Sequence, residues 1–107
     1  MKAPLQPERC AAKLSALAAP ERLKVVRYLI DGVRNVTEIA DMLKTAPVNV
    51  SHHLGVLRRA GFVKSKKQGR FVLYSLNPDV LERGAEGEPV FLNLGCCRLE
   101  VPAAPAR

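Results

Sequence analysis

The chain has 107 residues, 48% hydrophobic and 25% charged, and this balance excludes a disordered protein and suits one domain over residues 1–107. The net charge of +7 favours a polyanionic partner. No apolar run approaches the roughly 20 residues of a membrane span and no signal peptide is evident, so we expect a cytoplasmic protein without a membrane partner.

Two amphipathic helices are predicted at the start of the chain. The first spans residues 7–18, because Pro7 suits a helix start, and the second opens at Pro20. Gly32 ends the second helix because glycine readily adopts the left-handed conformation of a C-cap. The residues expected to face the core are Cys10, Leu14, Leu17 and Ala18 in the first helix and Leu23, Val26, Leu29 and Ile30 in the second.

Two shorter helices follow, with a tight connection between them. Asn35 and Glu38 have the spacing of a capping box and predict the start of a third helix. Thr45 is predicted to cap a fourth helix over about residues 46–60, which Gly61 stops. The residues expected to face the core are Ile39, Met42 and Leu43 in the third helix and Val50, Leu57 and either His53 or Leu54 in the fourth.

The second half of the chain is predicted to be richer in strands. Residues 62–66 and 70–76 are β-rich, and the intervening residues 67–69 end in glycine, which predicts a hairpin. Asn77-Pro78 has the pattern of a cap and a first-turn residue and predicts a short helix. We expect that helix to end at Gly84.

The C-terminal tail is predicted to be extended rather than helical. Residues 90–101 alternate in hydrophobicity, and the phase changes near Gly95, which predicts a bulge or bend. The predicted fold class is therefore α+β, mainly α, a winged helix-turn-helix with a two-stranded β wing. We expect a core over residues 7–83, a dimerisation and sensing tail over 84–101, and fraying over 102–107.

The excess positive charge lies in one central segment. No acidic residue occurs between Asp41 and Asp79, and the rest of the chain has equal numbers of basic and acidic residues. The basic residues of this segment are Lys44, Arg58, Arg59, Lys64, Lys66, Lys67 and Arg70. Because the same segment has the helix-turn-helix pattern, this charge indicates a surface that binds the phosphates of DNA.

The side of the fourth helix opposite its apolar stripe is predicted to face the major groove of DNA. Ser51 and His52 are expected to hydrogen-bond base edges or phosphates, and Val48 is expected to contact a thymine methyl group. Asn49 is expected to reach a base edge or a phosphate, and Gly55 permits a close approach to the DNA.

The basic residues further along the chain are predicted to position the protein without reading sequence. Arg58 and Arg59 lie near the end of the fourth helix and are expected to bind phosphates. Lys66, Lys67 and Arg70 lie at the tip of the hairpin. They are expected to bind the flanking backbone or to enter the adjacent minor groove.

These segments together resemble the ArsR/SmtB family of repressors over about residues 11–80. The resemblance runs in order through ALAAPERLKVVRYLIDG, VTEIADML, NVSHHLGVLRRAGFV and KKQGRFVLYSL. It implies a winged-helix fold and a symmetric homodimer that represses transcription from a palindromic operator in double-stranded DNA. It also implies an inducer, often a metal ion or metalloid. The family's two common metal sites do not carry over, because residues 36–43 lack Cys and His and the tail lacks His.

Three cysteines, Cys10, Cys96 and Cys97, remain as candidate sensors. Their odd number argues against a closed disulfide framework and fits a reducing compartment. The resemblance implies that both chain ends lie near the dimer interface, where three thiolates would suit arsenite or another thiophilic ion, or sense oxidants or persulfides. The alternative for each is core packing, since free cysteine behaves as a small hydrophobe and Cys10 shares a face with Leu14.

The leading hypothesis is a homodimeric repressor that a thiol-directed signal releases from DNA. One alternative is a constitutive repressor or architectural protein with structural cysteines, and another is a winged-helix module that binds proteins. An enzyme is excluded because the chain has no glycine-rich phosphate loop and no nucleophile with a supporting base. Adjacent His52 and His53 diverge by about 100° on a helix and do not predict a metal site.

Overall fold

The structure of the protein, a computed structural model, describes residues 6–86 and 88–102. Its helices are α1 (Pro7–Leu17), α2 (Pro20–Ile30), α3 (Val36–Leu43) and α4 (Pro47–Arg59). Its strands are β1 (Arg34–Asn35), β2 (Val63–Gln68), β3 (Phe71–Leu76), β4 (Leu81–Glu82), β5 (Val90–Asn93) and β6 (Arg98–Val101). None of the described helices is long and apolar enough to cross a membrane. The fraying predicted beyond Pro102 concerns residues outside the described ranges.

The four helices predicted before the hairpin are confirmed, and local chemistry explains their starts. Asn35 Oδ1 accepts a hydrogen bond from Glu38 N at 2.8 Å, and Glu38 Oε1 accepts one from Asn35 N at 2.9 Å. This is the predicted capping box. The prediction that Thr45 caps α4 is wrong, because its Oγ1 accepts from Asn49 Nδ2 instead. Pro47 in the first turn has no N–H group that a cap would satisfy.

An aliphatic core joins the helices to the tail. Val25, Ile39 and Leu57 are fully buried, and the tail adds Leu92 and Leu94 to the same cluster. Three residues predicted to face the core are wrong, since Leu14, Ala18 and Leu23 are exposed. Apolar residues occur on both sides of α2, so periodicity alone does not choose the buried side. Packing against α3 and α4 selects the side with Val25.

The wing is a three-stranded antiparallel sheet of order β1-β3-β2, whereas two strands were predicted. The hairpin itself is confirmed, and Gln68 lies opposite Phe71 at its tip. The turn therefore consists of Gly69 and Arg70 rather than residues 67–69. Gly69 has a φ of 62°, which glycine adopts without a steric penalty. β1, which directly precedes α3, pairs with β3 and anchors the hairpin to the helices.

Residues 77–84, all within the described chain, do not form the predicted short helix. Asn77 Oδ1 accepts a hydrogen bond from Asp79 N, and Asn77 O accepts one from Val80 N, both at 3.0 Å. An Asn side chain bonded in this way stabilises a turn and competes with helix formation. The chain then enters β4, which pairs with β5 of the tail. The strand that competes with helix formation, β5, thus lies further along the chain, so a local pattern around Asn77 does not reveal it.

The extended tail is confirmed and forms a β-hairpin in a second sheet of order β4-β5-β6. Leu94 N donates a hydrogen bond to Cys97 O at 2.8 Å. Gly95 has a φ of 86°, and Gly95 and Cys96 form a two-residue turn. The predicted bend near Gly95 is therefore confirmed, as a hairpin turn rather than a bulge. The alternation changes phase because the chain reverses direction.

The tail sheet has an apolar inner face and a polar outer face. Leu92 on the inner face is 2% exposed and packs on the core. On the outer face, Arg98 pairs with Glu82 at 3.0 Å and its guanidinium lies 4.4 Å from the centroid of the Phe91 ring. Asn93 Nδ2 donates to Glu82 Oε2 at 2.7 Å. This alternation of burial, with a period of two, is what makes the tail a strand pair rather than a helix.

Candidate nucleic-acid interface and cysteine cluster

Helix α4 has one face fixed in the core and one face open to solvent. Val50, Leu54 and Leu57 are at most 1% exposed. The four residues predicted to reach bases are exposed on the rest of the helix: Val48, Asn49, Ser51 and His52. An α-helix held by one side and polar on the other has the size and shape that the major groove accepts.

Two residues of the predicted DNA-facing side contact other parts of the same segment. Asn49 Nδ2 donates to Thr45 Oγ1 at 2.9 Å. The side-chain oxygen of Asn49, Oδ1, can then accept a hydrogen bond from another group. A Cβ atom placed on Gly55 would lie 3.3 Å from Arg59 Nη1. The close approach at Gly55 is therefore made by the guanidinium of Arg59, whereas the sequence suggested that DNA would come close there.

The wing exposes the three basic residues predicted at its tip. Lys66 and Lys67 lie on β2, and Arg70 lies in the turn. Successive side chains of a strand point to opposite faces, so Lys66 and Lys67 extend from opposite faces of the wing. Phe71 is 50% exposed beside them, which sequence reasoning missed. The β-rich run around Phe71 indicated a strand but not which of its residues stay uncovered.

All seven basic residues of the central segment are exposed. The ion pairs among the described residues join Arg27 to Asp31 and Arg98 to Glu82, so the seven have no carboxylate partner within that part of the chain. Arg58 and Arg59 are thus available on α4, as the phosphate-binding prediction requires. Unpaired cations on an exposed surface attract phosphates in a salt-dependent manner.

Arg22 of α2 positions α4, a role that sequence reasoning missed. Its Nε donates to Ala16 O at 2.6 Å, and its Nη1 lies 3.3 Å from His53 Nδ1. His53 is half-buried, whereas His52 is exposed. The adjacent histidines therefore face different surroundings, and only His52 is presented on the open side of the helix.

Cys10 of α1 and Cys96 of the hairpin turn form a disulfide, 86 residues apart in sequence. The odd number of cysteines argues against a closed disulfide framework, yet two of the three are cross-linked here. The turn at Gly95 brings Cys96 against α1, where Lys13 Nζ also donates to Leu94 O at 3.1 Å. The odd number of cysteines leaves Cys97 free and half-buried.

The three sulfur atoms form a cluster, as the sensing hypothesis requires. They lie within 4.8 Å of one another, with Cys10 buried and Cys96 and Cys97 half-buried. The turn at Gly95 allows the two adjacent cysteines to converge on Cys10, although successive strand side chains would point apart. Such a cluster can exchange disulfides or, once reduced, hold a soft ion.

The central part of the chain matches a known protein family. Residues 19–65 match the model of a family described as bacterial regulatory protein, arsR family. The transcriptional repressor SdpR of Bacillus subtilis is 31% identical over 80 residues, which cover 75% of this chain and 89% of that protein. The regulator NmtR of Mycobacterium tuberculosis is 41% identical over 66 residues, which cover 62% of this chain and only 55% of that protein.

A solved structure agrees with the fold. The homodimeric winged helix-turn-helix DNA-binding domain of Mb0332 from Mycobacterium bovis, a possible ArsR-family regulator, superimposes with a TM-score of 0.64 at 26% identity. The match covers 67% of each chain. The α+β winged-helix fold is thereby confirmed. The family match at residues 19–65 includes none of the three cysteines, so it says nothing about the sulfur cluster.

Proposed function

Because the chain belongs to the ArsR family of bacterial regulatory proteins, we propose that it is a transcriptional repressor that binds a palindromic operator as a homodimer. The observation that carries the proposal is the exposed face of α4 beside seven exposed basic side chains without a described carboxylate partner. The protein is proposed to act as a single winged-helix domain in the bacterial cytoplasm, where its DNA lies.

In this proposal α4 is the recognition helix. Val48, Asn49, Ser51 and His52 contact base edges, while Arg58, Arg59, Lys66, Lys67 and Arg70 bind the backbone. A symmetric dimer places two copies of α4 in successive major grooves about 34 Å apart, so the proposal predicts a palindromic operator. The homodimeric state named for the Mycobacterium bovis domain supports this arrangement.

We assign dimerisation to the outer edge of β6. Because Leu94 and Cys97 are hydrogen-bonded across the turn, alternation directs the backbone groups of Leu99 toward β5 and those of Arg98 and Glu100 outward. A second β6, paired antiparallel about Leu99, sets Arg98 opposite the partner's Glu100. Cross-strand pairs of opposite charge stabilise such an edge contact.

Repression is proposed to end when a thiol-directed signal acts on the sulfur cluster. Cytoplasmic thiols are kept reduced, and disulfides there are usually transient and redox-sensing. The Cys10–Cys96 disulfide is then one of two states of the protein. It joins α1 to the tail, so breaking or forming it alters the surface that spaces the two recognition helices.

In its reduced state, the same cluster of three sulfur atoms fits arsenite or another thiophilic ion. Three thiolates at about 2.3 Å from a central ion stand roughly 4 Å apart in a trigonal arrangement. In this structure Cys10 and Cys96 are joined in the disulfide, and all three sulfur atoms lie within 4.8 Å of one another, so reduction must let that pair separate to reach this spacing. Only thiolates act as ligands, so ion binding and the disulfide exclude each other.

The test of DNA binding is selection of duplexes from a random pool by the reduced protein. A palindrome with half-site centres about 10 base pairs apart is expected. Protection of this palindrome in a footprinting experiment should be lost when the exposed residues of α4 are replaced. A pool that remains random in sequence would contradict the repressor proposal and support an architectural protein, which coats DNA without reading it.

A second candidate is a constitutive repressor whose cysteines are structural. The observation that favours it is the burial of Cys10, which is only 9% exposed. A structural disulfide would resist cellular reductants and leave DNA affinity unaffected by its redox state. Operator affinity measured in the oxidised and reduced states distinguishes the two candidates.

A further inference from the structure

A small cavity opens beside the disulfide, between α1 and the turn of the tail hairpin. Its volume is about 250 Å³, and it is lined by Arg9, Cys10 and Lys13 of α1 and by Leu94, Gly95 and Cys96 of the turn. Both sulfur-bearing residues of the disulfide therefore form part of its wall. A molecule inside this cavity lies next to the S–S bond.

The cavity is positively charged. Arg9 Nη1 donates to Gln6 Oε1 at 3.1 Å, and Lys13 Nζ donates to Leu94 O at 3.1 Å, so both cations are held at its wall by neutral oxygens. Neither has a carboxylate partner within the described residues, and no acidic residue lines the cavity there. A guanidinium has five N–H donors and an ammonium three, so each keeps donors for a bound anion.

The cavity is slightly smaller than drug-sized sites, which begin at about 300 Å³, so its volume suits a small molecule. Its charge selects an anion, and its position against a disulfide selects a sulfur nucleophile. We propose that the cavity binds a low-molecular-weight thiol bearing a carboxylate or sulfonate, and directs its thiolate to the Cys10–Cys96 disulfide. This proposal rests on the proposed function of the sulfur cluster, and it names the class of reductant that returns the cluster to its reduced state.

The exchange begins at Cys96, which is half-buried, rather than at buried Cys10. The thiolate of the bound molecule attacks Cys96 Sγ, forming a new S–S bond while the Cys10–Cys96 bond breaks. Cys10 leaves as a thiolate, stabilised by the nearby positive charge of Lys13, and then takes a proton from water. The thiolate of a second molecule attacks the small-molecule sulfur of the mixed disulfide, the bond to Cys96 breaks, and Cys96 leaves as a thiolate that takes a proton from water while the two small molecules depart as a disulfide. Two thiols are oxidised and one protein disulfide is reduced.

The experiment measures the reduction of the purified, oxidised full-length chain without DNA. 2-Mercaptoethanesulfonate and the neutral 2-mercaptoethanol share the same mercaptoethyl chain and differ in their end group, and each rate is normalised to the thiolate concentration. The mixed disulfide is followed by mass spectrometry. At low ionic strength the sulfonate should react about tenfold faster, and added salt should reduce the difference.

The variant Arg9→Gln with Lys13→Gln should abolish that preference. Glutamine keeps an N–H donor for Leu94 O, and Lys24→Gln on the exposed side of α2 is the matched control. Equal rates for the two thiols in the parent protein, or a preference that the double variant retains, would overturn the proposal. Because DNA is absent from this experiment, its failure leaves the proposed repressor function intact. A failure to bind an operator would likewise leave the proposed thiol binding intact.

Discussion

The guanidinium of Arg22 lies 3.3 Å from Nδ1 of His53 and thereby connects α2 to the recognition helix. Arginine only donates hydrogen bonds, so Nδ1 is the acceptor in this contact. The same side chain bonds the carbonyl of Ala16 near the end of α1. Three helices are thus held together by one residue.

Arg22→Met should destabilise the protein and weaken DNA binding without changing its salt dependence. The variant removes these hydrogen bonds but keeps an unbranched apolar stem, so the free energy of unfolding should fall by about 1–3 kcal/mol in chemical denaturation. The control is Arg27→Met, which breaks a partly exposed pair with Asp31. If Arg22→Met is no more destabilising than Arg27→Met, the positioning role is wrong.

Replacing Lys66, Lys67 or Arg70 by alanine should weaken binding to operator and to random DNA about equally. Each side chain that contacts a phosphate releases counterions, so its loss should lower the salt slope by about 0.9. Fluorescence anisotropy over a series of salt concentrations measures this, with Lys24→Ala on α2 as control. A variant that alters sequence preference and leaves the salt slope unchanged would refute the phosphate role.

Ser51→Ala and His52→Ala should each reduce discrimination between operator and random DNA. A lost base contact costs about 1–3 kcal/mol of discrimination, measured as the ratio of the two dissociation constants. Ser15→Ala on exposed α1 is the matched control. Parent-like discrimination in both variants would mean that another face of α4, or another element, reads the bases.

Much of the DNA-binding half was predictable because its signals are local. The Asn35–Glu38 capping box, the glycine of the wing turn and the uninterrupted basic segment each lie within a few neighbouring residues. The alternation of the tail likewise indicated strands. These patterns act through short-range backbone and side-chain chemistry, so the chain itself displays them.

The remaining features depend on contacts between distant residues. Asn77 starts a turn rather than a helix because β4 pairs with β5, and the Cys10–Cys96 disulfide joins residues 86 positions apart. Arg22 reaches His53 only after α2 and α4 have packed. No local pattern encodes such contacts, which explains why the positioning arginine and the cavity were missed. The approach of Cys10 to Cys96 and Cys97 was expected from the family resemblance and not from a local pattern.

Glu100→Arg should weaken the dimer by about tenfold or more. In the proposed edge-to-edge pairing, the substitution places like charges opposite each other at two symmetric positions. Analytical ultracentrifugation measures the effect, and Glu86→Arg in the exposed loop before β5 is the control. A variant that dimerises like the parent would move the interface away from β6, toward the face of α1 where Leu14 is 40% exposed.

The most direct test of the central claim is operator affinity before and after a thiol-directed signal. Anisotropy of the selected palindrome is measured with reduced protein, then after addition of arsenite or of an oxidant. A coupling of about 1–3 kcal/mol should raise the dissociation constant about 5- to 150-fold. Cys96→Ser with Cys97→Ser should bind as tightly as the reduced parent and lose that response. A parent protein that stays on its operator with every agent would contradict the account and make the cysteines structural.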